Sequence, residues 1–151
     1  MSSCSDIYFD SPLPKEGVEL QYFPIEFIGK YLTEEKDTIL FQNSHILTGI
    51  ADLNIELGEN TKLVEFKGDY YLNVKSSEGW QFSKITANPD GLTSYFNTTN
   101  EIMEKLSPSI YTKKNSNYVI NMTSHTSLNM IEKKGFLNKN IKLKKLRIDS
   151  E

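Results

Sequence analysis

A single cysteine, Cys4, stands in the whole chain, so no internal disulfide can form. The fold must therefore stand on its core alone, in a reducing compartment or as an envelope domain that needs no staple. No run of about 18 apolar residues occurs, which excludes a membrane-spanning helix within these 151 residues. Histidine is nearly absent. His45 and His125 lie far apart with no carboxylate at ligating spacing, so each reads as an ordinary surface or turn residue and no metal is expected. The G-x-S-x-G elbow, the phosphate loop, H-E-x-x-H and C-x-x-C are all missing. A formal charge of −3 gives no field to gather a polyanion, and nucleic acid is not an expected partner.

Other catalytic chemistry has little to work with. Cys4 sits in an irregular leader without a helix end or fixed base to lower its pKa, so it is not a nucleophile. The 20 carboxylates are scattered through turns, leaving a hydrolase with dispersed carboxylates as a third reading behind two non-enzymatic ones. No cofactor is implied.

Apolar residues at 38% and charged residues at 25% are ordinary globular usage, enough for one domain with a real core. The skew is aromatic: eight Tyr, eight Phe and one Trp, residues that suit half-buried pleated surfaces. Pro12, Pro14, Gly17 and Pro24 interrupt the N-terminal stretch, dividing the chain into a tether over 1–23 and a β-rich domain over 24–151. The apolar Ile7, Tyr8 and Phe9 allow a short edge strand as the alternative.

Within the domain, period-two alternation marks strands over 27–33, 38–41, 52–57, 62–67, 70–75, 80–87 and 92–96, with Gly58-Glu59-Asn60, Gly68-Asp69, Ser76 to Gly79 and Asn88 to Gly91 as turns. Thr98 and Glu101 form a capping box before Ile102, Met103 and Leu106, predicting a short helix limited by Pro108; a second is predicted over 127–134. Tyr118 to Met122 alternates as a strand. Ile141 and Leu143 lie in one phase, Leu146 and Ile148 in the other, so the closing strand is read with a bulge at Lys144-Lys145 and as a lysine-protected edge. The expected fold is mainly β (α+β): an antiparallel meander or partly closed barrel with two short helices.

Two surfaces are candidates for binding. Trp80, with Tyr71 and Tyr95 on adjoining strands, is either core or a ligand-lined cup, Tyr71 being the expected exposed contact because it opposes the face of Tyr70, Leu72 and Val74. Lys133, Lys134, Lys139, Lys142, Lys144, Lys145 and Arg147 occur without an intervening acid, either as a solvated face or as a dock for an acidic partner or anionic headgroups.

Ser2-Ser3-Cys4 resembles the end of a bacterial lipobox, and the stretches Phe9 to Pro14, Phe23 to Tyr31, Tyr70 to Asn73 and Trp80 are similar to those of small Bacteroidota lipoproteins of unknown function. That resemblance implies lipidation of Cys4 in a longer precursor, since Met1 stands where the leucine of the box and the signal region would be. Without an acidic run after the cysteine, the implied place is the bacterial cell envelope, facing the periplasm; a cytoplasmic protein is the alternative. Phe27-Ile28-Gly29-Lys30-Tyr31 resembles the G-x-W/Y opening strand of lipocalin-like barrels, which implies a small-ligand carrier as the second reading. The first is a binding or scaffolding module, held to the membrane by a lipid anchor on Cys4, with a protein or small-ligand partner.

Overall fold

The computed structural model of the protein describes residues 7–12, 16–48, 54–96, 111–114, 117–120 and 139–146. In chain order its strands are β1 (Ile7–Phe9), β2 (Val18–Leu20), β3 (Gly29–Leu32), β4 (Thr38–Phe41), β5 (His45–Thr48), β6 (Asn54–Glu56), β7 (Thr61–Phe66), β8 (Asp69–Ser76), β9 (Gly79–Asn88), β10 (Gly91–Phe96), β11 (Tyr111–Lys114), β12 (Asn117–Ile120) and β13 (Lys139–Lys145). The fold is mainly β, an antiparallel sheet curled into a half-barrel. One 3-10 turn, Ile25–Phe27, leads into β3, and among the described residues there is no α-helix. The two expected helices, over 98–106 and 127–134, lie outside the described residues.

The meander β7 to β10 grows from the clearest alternation in the sequence. Lys67 and Gly68 both take positive φ, 53° and 85°, which is the geometry of a type I′ hairpin and fixes the register Phe66↔Asp69. Ser77-Glu78 and Pro89-Asp90 make the next two reversals equally tight. Ten residues long, β9 then serves three neighbours. It pairs β8 along Gly79–Ile85 on one edge; on the other it pairs β10 along Ser83–Asn88 and meets β1 at Trp80. From that branch one path continues β10-β13-β3-β4-β5-β6, another β1-β12-β11, and β8 leads back through β7 to β2.

One aromatic contact shows the curl. Four strand steps separate β8 from β3, roughly 19 Å in a flat sheet, yet the rings of Phe27 and Tyr70 meet edge to face at 5.3 Å. Phe41 stands 5.5 Å from Tyr31 and 5.3 Å from Phe23, so β4 closes over the same interior. Leu63, Leu72, Ile85 and Leu92 from the meander complete the cluster. Each fully buried side chain of this kind contributes about 1.5–3 kcal/mol relative to exposure.

The N-terminal stretch read as a tether is part of the sheet from Ile7 onward: β1 lies between β12 and β9, the former pairing parallel, and β2 lies on β7 with Glu19 ion-paired to Lys62 at 3.2 Å. Phe9 and Phe23 are buried, which an unattached leader could not achieve. Cys4 lies outside the described residues. β5 was not foreseen; four residues between turns carry too little alternation to stand out.

The closing strand also differs from expectation. From Lys139 to Lys144 its pairing with β10 is continuous, without a bulge, so Lys145 shares the phase of Ile141 and Leu143. Its stem passes Gly29 and its ammonium lies 5.9 Å from the Tyr31 ring centroid, which lets a lysine occupy that phase. A β-carbon at Gly91 would fall on the Leu143 carbonyl oxygen, and Gly91 has φ 153°. Gly91→Ala is therefore expected to cost at least about 1–3 kcal/mol, while Gly58→Ala, with open space around it, stays within about 0.5 kcal/mol; urea titration of both variants compares them.

The buried Tyr31 hydroxyl donates to the Phe27 carbonyl at 2.9 Å, and burial raises its pKa above the ordinary 10.0. Tyr70 is raised too, by burial first and then by the charges of Glu65 and Glu26. Both phenols stay neutral in the fold beyond the pH at which they ionise in the unfolded chain. Their contribution is complete below pH 10 and lost as pH rises through the folded values. Chemical denaturation across pH 8–12 should show that decline, with Tyr31→Phe reducing its steepness and costing about 0.5–1.5 kcal/mol at neutral pH for the lost hydrogen bond.

Candidate binding groove

Beside β13 the surface opens into a groove of about 950 Å³. Three pieces of chain, distant in sequence, form its walls. The first is the β3–β4 turn, where Thr33 N–H donates to the Asp37 carbonyl at 2.8 Å, Lys36 N–H to the Thr33 carbonyl at 3.0 Å, and Asp37 N–H to Thr33 Oγ1 at 3.0 Å. These bonds hold Lys36 at φ 73°, a left-handed conformation that costs a residue with a β-carbon roughly 1–2 kcal/mol. Its lysine side is one lining of the groove.

The second wall is the β9–β10 turn with the start of β10. Asn88 uses both ends of its amide there: Oδ1 accepts from Asp90 N–H and Nδ2 donates to Thr93 Oγ1, each at 3.1 Å. Thr93 is buried, and because its oxygen already accepts from Asn88, its own proton is left for another acceptor. Tyr95, half-buried, lies two residues further along the same face.

The third wall is β13. Lys142 and Lys144 alternate on the outer face, their Cα atoms about 6.8 Å apart by strand geometry. Among the described lining residues, Lys36, Lys142, Lys144 and Lys145 face only Glu34 and Asp90 as carboxylates, in a chain that is acidic as a whole. Lys36, Lys142 and Lys144 form no ion pair among the described residues. Ammonium groups without an ion pair among the described residues thus stand on two walls and give the groove a local positive charge.

The sequence candidates divide between the two sides of this picture. Tyr95, Lys142, Lys144 and Lys145 come together in the groove; Lys133, Lys134 and Arg147 lie outside the described residues. Trp80 and Tyr71 do not reach it. Tyr71 does oppose the face of Leu72, as its alternation requires, but only 2% of it is exposed, so the expected exposed contact is corrected to a buried one. The reason is a second apolar cluster on the outer face of the meander: Tyr71 and Phe82 lie 6.1 Å apart, Phe82 meets Phe9 edge to face at 4.9 Å, and Val64 and Trp80 are buried beside them. Lys36, Asn88 and Thr93 were missed, because nothing local in their sequence separates a groove wall from an ordinary turn.

His45 Nε2 stands 3.5 Å from Glu56 Oε2 across β5 and β6 on the surface. Among the described residues no group of three or more His, Cys, Asp or Glu could hold a metal ion, and no helix is long and apolar enough to cross a membrane. No family model matches the chain, nor does any curated protein or solved structure.

Packing and binding roles separate by substitution. Tyr71→Ala is expected to destabilise the domain by about 3–5 kcal/mol, as for other buried aromatics, and Tyr95→Ala by roughly 1 kcal/mol or less. Equal and small losses in urea titrations would return Tyr71 to the surface.

Proposed function

We propose that this domain is a non-enzymatic binding module of the bacterial envelope, attached to a membrane through lipid on Cys4, with the lysine groove as its ligand seat. The observation that carries the binding reading is the set of lysines, Lys36, Lys142 and Lys144, that form no ion pair among the described residues and gather around Thr93 and Tyr95 in a chain of net negative charge. Like charges gathered on two walls of one groove repel one another, and an anion seated between them relieves that repulsion. The attachment reading rests on Ser2-Ser3-Cys4. Lipid chains give stable anchoring where a basic patch alone gives salt-sensitive adhesion.

The lipocalin-like carrier is the second reading, favoured by the curl of the sheet and by Gly29 and Tyr31 on β3. Against it, the inside of the curl is filled by Phe23, Phe27, Tyr31 and Phe41, with the last three linked ring to ring. A ligand there would have to displace a packed core.

Two measurements test the proposal. In a bacterial host, the full-length precursor should incorporate labelled fatty acid and sediment with membranes, Cys4→Ala should do neither, and Lys142→Glu with Lys144→Glu should remain attached; retention of Cys4→Ala on membranes would refute the anchor. For the seat, citrate should shift the amide resonances of Thr93, Tyr95, Lys142 and Lys144, and an unchanged spectrum would refute it.

A further inference from the structure

β13 is paired unevenly. One edge meets β10 from Lys139 to Lys144, whereas on the other β3 reaches only Lys144 and Lys145 before the Thr33–Asp37 turn carries the chain away. Leu146 N–H donates to the Lys30 carbonyl on this second edge, and Lys145 N–H to the Asp90 carbonyl on the first. Peptide groups alternate between the two edges of a strand, so the N–H and C=O of Lys142 face the second edge, past the end of β3 and alongside the groove. Among the described residues nothing pairs with them. The side chains alternate as well: Lys142 and Lys144 on the outer face, Ile141 and Leu143 on the inner, with Ile141 46% exposed although Leu143 packs against the core.

We infer that this edge receives a short extended peptide, acidic at alternate positions and apolar between them, which adds a strand to β13. The inference rests on the groove being the ligand seat and names its occupant. Main-chain hydrogen bonds to Lys142 would supply affinity and the alternating side chains specificity. Residues two apart in such a peptide lie about 6.8 Å apart, the repeat that separates Lys142 from Lys144, so one face of it sets carboxylates among these ammonium groups and Lys36. Its other face then places apolar side chains over Ile141 and Leu143. A second copy of β13 could offer the same backbone but would set lysine against lysine, which is how charged edges avoid self-association. An acidic glycan brings charge without a ladder of N–H and C=O groups.

The probe is a fluorescein-labelled synthetic peptide alternating glutamate and valine, followed by fluorescence anisotropy with the intact protein. Saturable binding is expected, weakened at least ten-fold by Lys142→Glu. Lys36→Gly should weaken it several-fold while the melting temperature holds or rises, because glycine relaxes the left-handed position. Methylating alternate backbone nitrogens of the peptide, with every side chain kept, should abolish binding without any change to the protein. Equal binding of the methylated peptide would overturn strand addition. Failure of the peptide while citrate still shifts Thr93 and Lys142 would overturn the peptide occupant and leave the groove standing; failure of both would remove the seat itself.

Discussion

The edge-to-face contact of Phe27 with Tyr70 is the constraint on which the rest of the fold depends. The apolar inner face of a sheet of short strands has no stable form unless it is covered. Here the sheet covers itself. The 3-10 turn before β3 delivers Phe27 into the interior, Phe23 is held at the same end by its N–H to the Asn43 carbonyl at 2.7 Å, and β4 adds Phe41. Large rings span the gap between the two arms of the curl more readily than aliphatic side chains would, which gives a physical use to the aromatic bias of the composition.

Curling sets the position of everything at the rim. Once β3 must lie over β8, it can follow β13 for only two residue pairs before its turn, and the remaining length of β13 runs on beside the groove. The same closure draws the Lys145 stem past Gly29 and over Tyr31. Lysine is tolerated in an inward phase there because only its methylenes are covered while its charge reaches the rim.

Much of the meander was legible because hairpins are local: alternation over 62–67, 70–75, 80–87 and 92–96 and the turn residues between them place each strand to within a residue at either end, although the first turn falls at Lys67-Gly68 rather than Gly68-Asp69. The long-range pairings were not. Ile7–Phe9 finds a parallel partner more than a hundred residues away and touches β9 at a single position, and three apolar residues among prolines do not announce that. Tyr71 shows a different limit. Alternation correctly put it opposite Leu72, but period two distinguishes the faces of a strand without saying whether the second face meets water. Its ring lies against Phe82 on the paired strand β9, and Phe82 is met in turn by Phe9 from the N-terminal stretch. At the groove, only the lysine-rich tail and Tyr95 gave a signal; Lys36, Asn88 and Thr93 join them through folding alone.

The phase of β13 follows from the same reasoning. Ile141, Leu143, Leu146 and Ile148 invite a bulge if all four must share one face. The unbroken register with β10 shows that the apolar pattern yields to the backbone, because Gly91 admits the Leu143 carbonyl and Leu146 N–H finds the Lys30 carbonyl at 2.8 Å. A bulge at Lys144-Lys145 would forfeit hydrogen bonds worth about 0.5–1.5 kcal/mol each to bury a side chain at the end of the strand. With the straight register, Lys142 and Lys144 alternate on one face and Ile141 remains half exposed on the other. The pairing that completes the half-barrel thus also leaves a basic, partly apolar strand edge at its rim that no described residue pairs.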